Sequence, residues 1–74
     1  SADSALNGLS PNQAMVFRCI QSVKVDEGAH VQQIIANLKN KVSEKDVRAA
    51  VEFLSGEGHV YSTTDDEHYK CTDW

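Results

Sequence analysis

Two groups of residues stand out chemically in this 74-residue chain: three consecutive acids, Asp65-Asp66-Glu67, and the neighbouring His59, His68 and Cys71. Acids at one point on a surface attract cationic side chains. Imidazoles and a thiol could hold a metal or form a nucleophile–base pair. His68 and Cys71 are three positions apart in His68-Tyr69-Lys70-Cys71-Thr72, which has the β-branched and aromatic character of a strand. Residues 68 and 71 of a strand face opposite sides, so joint ligation is awkward. A Cys71 nucleophile meets the same obstacle and has no evident oxyanion donors. His59 and His68 therefore read as surface or packing residues, and His30 as the start of a helix. No metal, cofactor or catalytic reaction is expected. Cys19 and Cys71 fit no zinc-finger or redox spacing, and two thiols without a framework suit a reducing compartment.

The elements that carry these residues must be small. A chain of 74 residues forms one domain with a thin core, worth roughly 3–5 kcal/mol, and leaves little room for a deep catalytic pocket. Its composition, 41% hydrophobic and 24% charged, is that of an ordinary globule. No apolar run approaches the ~20 residues of a membrane span, and no signal-peptide pattern is visible. The chain reads as a domain cut from a longer polypeptide, with residues 1–8 a flexible linker or expression remnant and 9–74 the domain.

The net charge of −4 is unevenly distributed. Arg18, Lys24, Lys39, Lys41, Lys45 and Arg48 slightly outweigh Asp3, Asp26, Glu27, Glu44 and Asp46 in residues 1–51, giving +1. Glu52, Glu57, Asp65, Asp66, Glu67 and Asp73 face Lys70 alone in residues 52–74, giving −5. That asymmetry bears on partners rather than on fold.

Ser10, Pro11 and Gln13 form a helix-start signal, an N-cap with a capping box, and Leu9 can staple onto the first turn. Val16, Cys19, Ile20 and Val23 then recur at helical spacing, flanked by Met15 and Phe17. Asp26-Glu27-Gly28 breaks the pattern. A second helix follows with Val31, Ile34, Ile35 and Leu38 on one face. A third starts at Ser43, with Asp46 in capping-box position and Val47, Ala50, Val51 and Leu54 as its buried stripe; Gly56 and Gly58 stop it. Val60, Tyr69 and Phe53 read as core. Two short strands, 59–63 and 68–72, flank the polar turn Thr64-Asp65-Asp66-Glu67, and a brief strand at Ala29-His30 could pair with the hairpin edge. The fold class is small α+β: a winged helix, with a three-helix helix-turn-helix core followed by a β-hairpin wing.

Many winged helices bind DNA, so direct DNA binding is the alternative to weigh. A DNA reader needs cations on its third helix and wing. Residues 43–55 sum to −1 and the wing turn is wholly acidic, so a phosphate backbone is repelled. Glu44, Arg48 and Glu52, four apart, read as mutual helix support. Consecutive acids in the wing do nothing for the turn that a single Asp would not do. An acidic ridge beside Tyr61 and Tyr69 is instead a dock for a basic amphipathic helix.

The run Val51-Glu52-Phe53-Leu54-Ser55-Gly56-Glu57-Gly58-His59-Val60-Tyr61-Ser62-Thr63, continued by Thr64-Asp65-Asp66-Glu67-His68-Tyr69-Lys70 and Thr72-Asp73, resembles the C-terminal winged-helix domain of the middle subunit of replication protein A, the eukaryotic single-strand DNA-binding heterotrimer. Gly8-Leu9-Ser10, Gln13, Val16, Ile20, Glu27-Gly28 and Leu38-Lys39 also fit. The resemblance implies a nuclear, monomeric recruitment module that does not itself grip DNA. It implies partners with basic amphipathic helices from repair, recombination and replication proteins, among them a uracil-DNA glycosylase, a nucleotide-excision repair protein and a recombination mediator. The other replication protein A subunits would be met through the rest of the parent chain, and no membrane is involved. Carried over by position, the docking residues are Glu57, Tyr61, Ser62, Asp65, Asp66 and Thr72, in the region that the charge pattern marks independently. The chain departs from the family in the longer turn Asn40-Lys41-Val42, in lacking a proline at Lys24-Val25-Asp26, in Cys71 for serine, and in Trp74.

Overall fold

The computed structural model describes residues 8–23 and 25–72. The order is α1 (Pro11–Ser22), β1 (Ala29–His30), α2 (Val31–Asn37), α3 (Glu44–Gly56), β2 (Val60–Ser62) and β3 (His68–Cys71). The expected linker lies outside the described residues except for Gly8, as do Lys24, Asp73 and Trp74.

Each helix begins where a side chain satisfies backbone N–H groups that have no helical partner. The Ser10 hydroxyl accepts from Gln13 N at 3.2 Å while Gln13 Oε1 accepts from Ser10 N at 2.9 Å, completing the capping box. Ser43 Oγ accepts from Asp46 N at 3.2 Å. His30 caps α2 with its ring, Nδ1 accepting from Gln32 N at 3.0 Å. The turn between α2 and α3 tucks Val42 into the core, its N–H donating to Leu38 O at 2.7 Å.

The sheet has the order β1-β3-β2, antiparallel throughout. The short β1, whose two residues carry little sequence signal, is an edge strand held by β3 and the turn that leads into it. Ala29 pairs with Tyr69 and His30 with His68, and Val31 N donates to Glu67 O at 2.8 Å. Val60 pairs with Cys71, both buried against α1 and α3. Winged helix is therefore the observed architecture.

The core joins Val16, Phe17 and Ile20 of α1 to Ile34 of α2, to Val47, Ala50, Val51 and Leu54 of α3, and to Ala29, Val60 and Cys71 of the sheet. Two expectations need correction. Phe17, read as flanking, is fully buried and packs edge-on against His59, with ring centroids 6.1 Å apart. Phe53, read as core, is 39% exposed. At 100° per residue it falls outside the arc that Val47, Ala50, Val51 and Leu54 turn inward.

Gly56 is not the helix stop: it is helical, and the chain reverses at Gly58, where φ is +81°. A Cβ on Gly56 meets nothing within 4 Å. Gly56→Ala is accordingly expected to stabilise the domain by about 0.4–1 kcal/mol, read from the urea midpoint, by removing unfolded-chain entropy.

Candidate docking surface on the hairpin

The base of the hairpin is rigidly built. Glu57 caps α3, its N–H donating to Phe53 O at 3.0 Å, and His59 N then donates to Leu54 O at 2.9 Å. Thr72 closes the same loop from the other strand. Its N–H reaches His59 O at 3.1 Å and its hydroxyl donates to Gly58 O at 3.0 Å. Glu57 and Thr72, fifteen residues apart in sequence, are thus fastened to one exposed corner. Phe53 lies one helical turn before Glu57 and puts a partly exposed aromatic ring beside that corner. Sequence reading missed its surface role, although the four-residue spacing from Glu57 would have signalled it.

Between base and tip, Tyr61 is 44% exposed on the outer face, across from Lys70. Ser62 is also exposed, but strand alternation turns it to the other face, across from Tyr69. Tyr69 likewise faces inward, against the core. The expected ridge with both tyrosines on one side is therefore not formed. Tyr61 and Tyr69 differ by an odd step in the hairpin register, so only Tyr61 accompanies the outer face, and Lys70 shares it.

The three acids at the tip have three different situations. Asp65 is the turn residue: its Oδ1 accepts from Glu67 N at 2.8 Å and lies 2.9 Å from His68 Nδ1. The His68 ring packs at right angles on that of His30, with centroids 4.7 Å apart, so the tip is braced against the start of α2. Glu67 leans toward α3, 3.9 Å from Arg48 Nη1, while Arg48 Nε is 3.2 Å from Glu44. Asp66 is exposed and, among the described residues, has no hydrogen bond or ion pair. One carboxylate shapes the turn, one is shared with a helix, and one points its full charge at solvent.

The hydrogen bond from His68, and after it the Glu67 N–H, hold the Asp65 carboxyl below its ordinary range. Because the folded-state pKa is the lower one, this contribution is complete above the unfolded value of about 3.9 and disappears as pH falls further through the folded value. Acid titration below about pH 4 is expected to loosen the tip before the core. NMR should show this as exchange broadening of Glu67 and His68 amides in the wild type, and Asp65→Asn should have that looseness already at pH 7.

The two thiols lie in different surroundings. Cys71 is buried across from Val60, and Cys19 Sγ lies 3.6 Å from Asn37 Nδ2. Among the described residues no group of three or more His, Cys, Asp or Glu could hold a metal ion, and no helix is long and apolar enough to cross a membrane.

A family model described as "Replication protein A C terminal" matches residues 1–67. The chain is 48% identical over 71 residues to the replication protein A 32 kDa subunit-A of Xenopus laevis, covering 96% of this chain and 25% of that protein. It is 39% identical to the 32 kDa subunit of Mus musculus, over 90% of this chain and 24% of the relative. It is 35% identical to replication factor A protein 2 of Schizosaccharomyces pombe, over 84% and 22%. The chain spans about a quarter of the length of these relatives. Fold, wing and sequence agree: the chain belongs to the replication protein A C-terminal family.

Proposed function

We propose that this domain is a protein-docking module of replication protein A that captures basic amphipathic helices of DNA repair, recombination and replication factors and so brings them to single-stranded DNA in the nucleus. The observation that carries the reading is the outer face of the hairpin. Glu57 lies at its base, the exposed Tyr61 along its length, and Asp65 and Asp66 at its tip. A partner with arginines or lysines at both ends of a short amphipathic helix, and apolar residues between, matches carboxylates at base and tip with an aromatic ring between them. Exposed ion pairs contribute only about 0.2–1 kcal/mol each, so the isolated interaction is weak and the tether to a shared DNA strand raises its occupancy through effective concentration. The remaining replication protein A subunits would be engaged by the rest of the parent chain, and this domain needs no cofactor for the task.

Direct DNA binding is the competing function, and the observed electrostatics disfavour it. The wing points an unpaired Asp66 outward, and the cation of α3 nearest the wing, Arg48, is already flanked by Glu44 and Glu67. Fluorescence anisotropy in low salt discriminates the two. A labelled arginine- and lysine-rich amphipathic peptide should bind with affinity that falls as salt rises, while labelled duplex and single-stranded oligonucleotides should not bind. Sub-micromolar binding of either oligonucleotide would reverse the assignment.

A further inference from the structure

The inner face of the hairpin, opposite Tyr61, borders an open groove of about 500 Å³ between β3 and the C-terminal half of α3. Its apolar floor is Val31 and Val51 together with the ring of Tyr69; Glu52 and Glu67 stand on its two walls. We infer that this groove is a second docking surface, separate from the outer face, which takes an arginine side chain of a peptide partner.

Three observations select that occupant. Charge comes first. Arg48, at one end of the groove, is engaged by Glu44 at 3.2 Å and reaches Glu67 at 3.9 Å, whereas Glu52 has no ion pair or hydrogen bond among the described residues. A vacancy for positive charge is left between Glu52 and the loosely held Glu67. Burial first, then the carboxylates of Glu67, Asp66 and Glu52, push the Tyr69 phenol above its ordinary range, against an opposing Arg48. The second observation is shape. An apolar floor beneath two carboxylates accepts the methylenes of a long side chain while its head remains at the rim. Third, the Tyr69 hydroxyl has no hydrogen-bond partner among the described residues, and its half-buried ring lines the groove. A planar guanidinium can lie against an aromatic ring while its fork of N–H groups reaches the carboxylates, whereas an ammonium has no plane to present to the ring.

Acetylated, amidated tri-arginine and tri-lysine are suitable probes, titrated into the ¹⁵N-labelled domain. Tri-arginine is expected to give saturable shifts at the amides of Glu52, Ser55, Gly56 and Tyr69, with tri-lysine several-fold weaker. Glu52→Gln should weaken tri-arginine binding at these amides by about threefold, the value of one exposed ion pair. Its unperturbed spectrum serves as the fold control, since Glu52 is exposed. Glu57→Lys, at the outer face, should leave the groove shifts in place, so that failure of the outer-face reading and failure of this one are told apart. Shifts confined to Glu57, Tyr61 and Asp66, equal affinity for the two probes, or an unchanged response in Glu52→Gln would each overturn the proposal.

Discussion

Gly28→Ala is expected to lower the melting temperature by roughly 12–24 °C, corresponding to a loss of about 3 kcal/mol in a domain of this size. Gly28 has φ = +80°, where an L side chain costs about 1–2 kcal/mol. The added Cβ would also overlap the backbone carbonyl of Tyr69 and the Lys70 side chain. A backbone atom cannot swing aside as a side chain does, so β1 must separate from β3, exposing Ala29 and releasing the Val31–Glu67 hydrogen bond that braces the wing. The loss is comparable to the whole stability that so small a core supplies, about 3–5 kcal/mol. Gly58→Ala is the matched control. Its φ is +81°, but the added Cβ meets nothing within 4 Å, so only the conformational part, about 1–2 kcal/mol, should appear. Thermal denaturation followed by circular dichroism measures both. Equal losses in the two variants would mean that the approach of Gly28 to β3 is unimportant.

The second large effect concerns binding. Glu57→Lys and Asp66→Lys should each weaken capture of a basic amphipathic peptide by about tenfold, since reversal removes an attraction and adds a repulsion, together about 1.4 kcal/mol. The two residues stand at opposite ends of the hairpin, far enough apart for their effects to add, so the double variant should lose about a hundredfold. Neither has a side-chain partner among the described residues, so both variants should melt at the wild-type temperature. Calorimetric titration gives the affinities. Asp65→Lys would be a poorer test, because Asp65 also holds the turn through Glu67 N and His68.

Much of this arrangement was legible in the chain because it is encoded locally. Ser10, Pro11 and Gln13 mark the start of α1 by their own hydrogen bonds, and Val47, Ala50, Val51 and Leu54 mark the inward face of α3 by period alone. The hairpin is visible because the period changes to two. What was faint or could not be read depends on contacts between distant segments. β1, expected at Ala29-His30 on a weak signal, forms because β3 and the Glu67 carbonyl lie beside it. Phe17 is buried in the core shared by the helices and the sheet, edge-on to His59, and Phe53 is left partly exposed because it lies off the inward arc of α3. The same distinction runs through the docking surface. The acids could be counted in advance, but not their division into a turn residue, a helix-shared residue and a free one. That division depends on His68, three positions from Asp65, and on Arg48, nineteen positions from Glu67. Nor could composition separate Tyr61 from Tyr69, which strand register sends to opposite faces.

Basic helices are expected to dock on the outer face of the wing. Chemical-shift mapping of the ¹⁵N-labelled domain with an arginine- and lysine-rich amphipathic peptide locates the contact residue by residue. Saturable shifts are expected at Glu57, Tyr61, Asp65, Asp66 and Thr72, diminishing as salt is raised. Shifts clustered instead on α2, between Val31 and Asn37, with the hairpin amides unmoved, would contradict that placement.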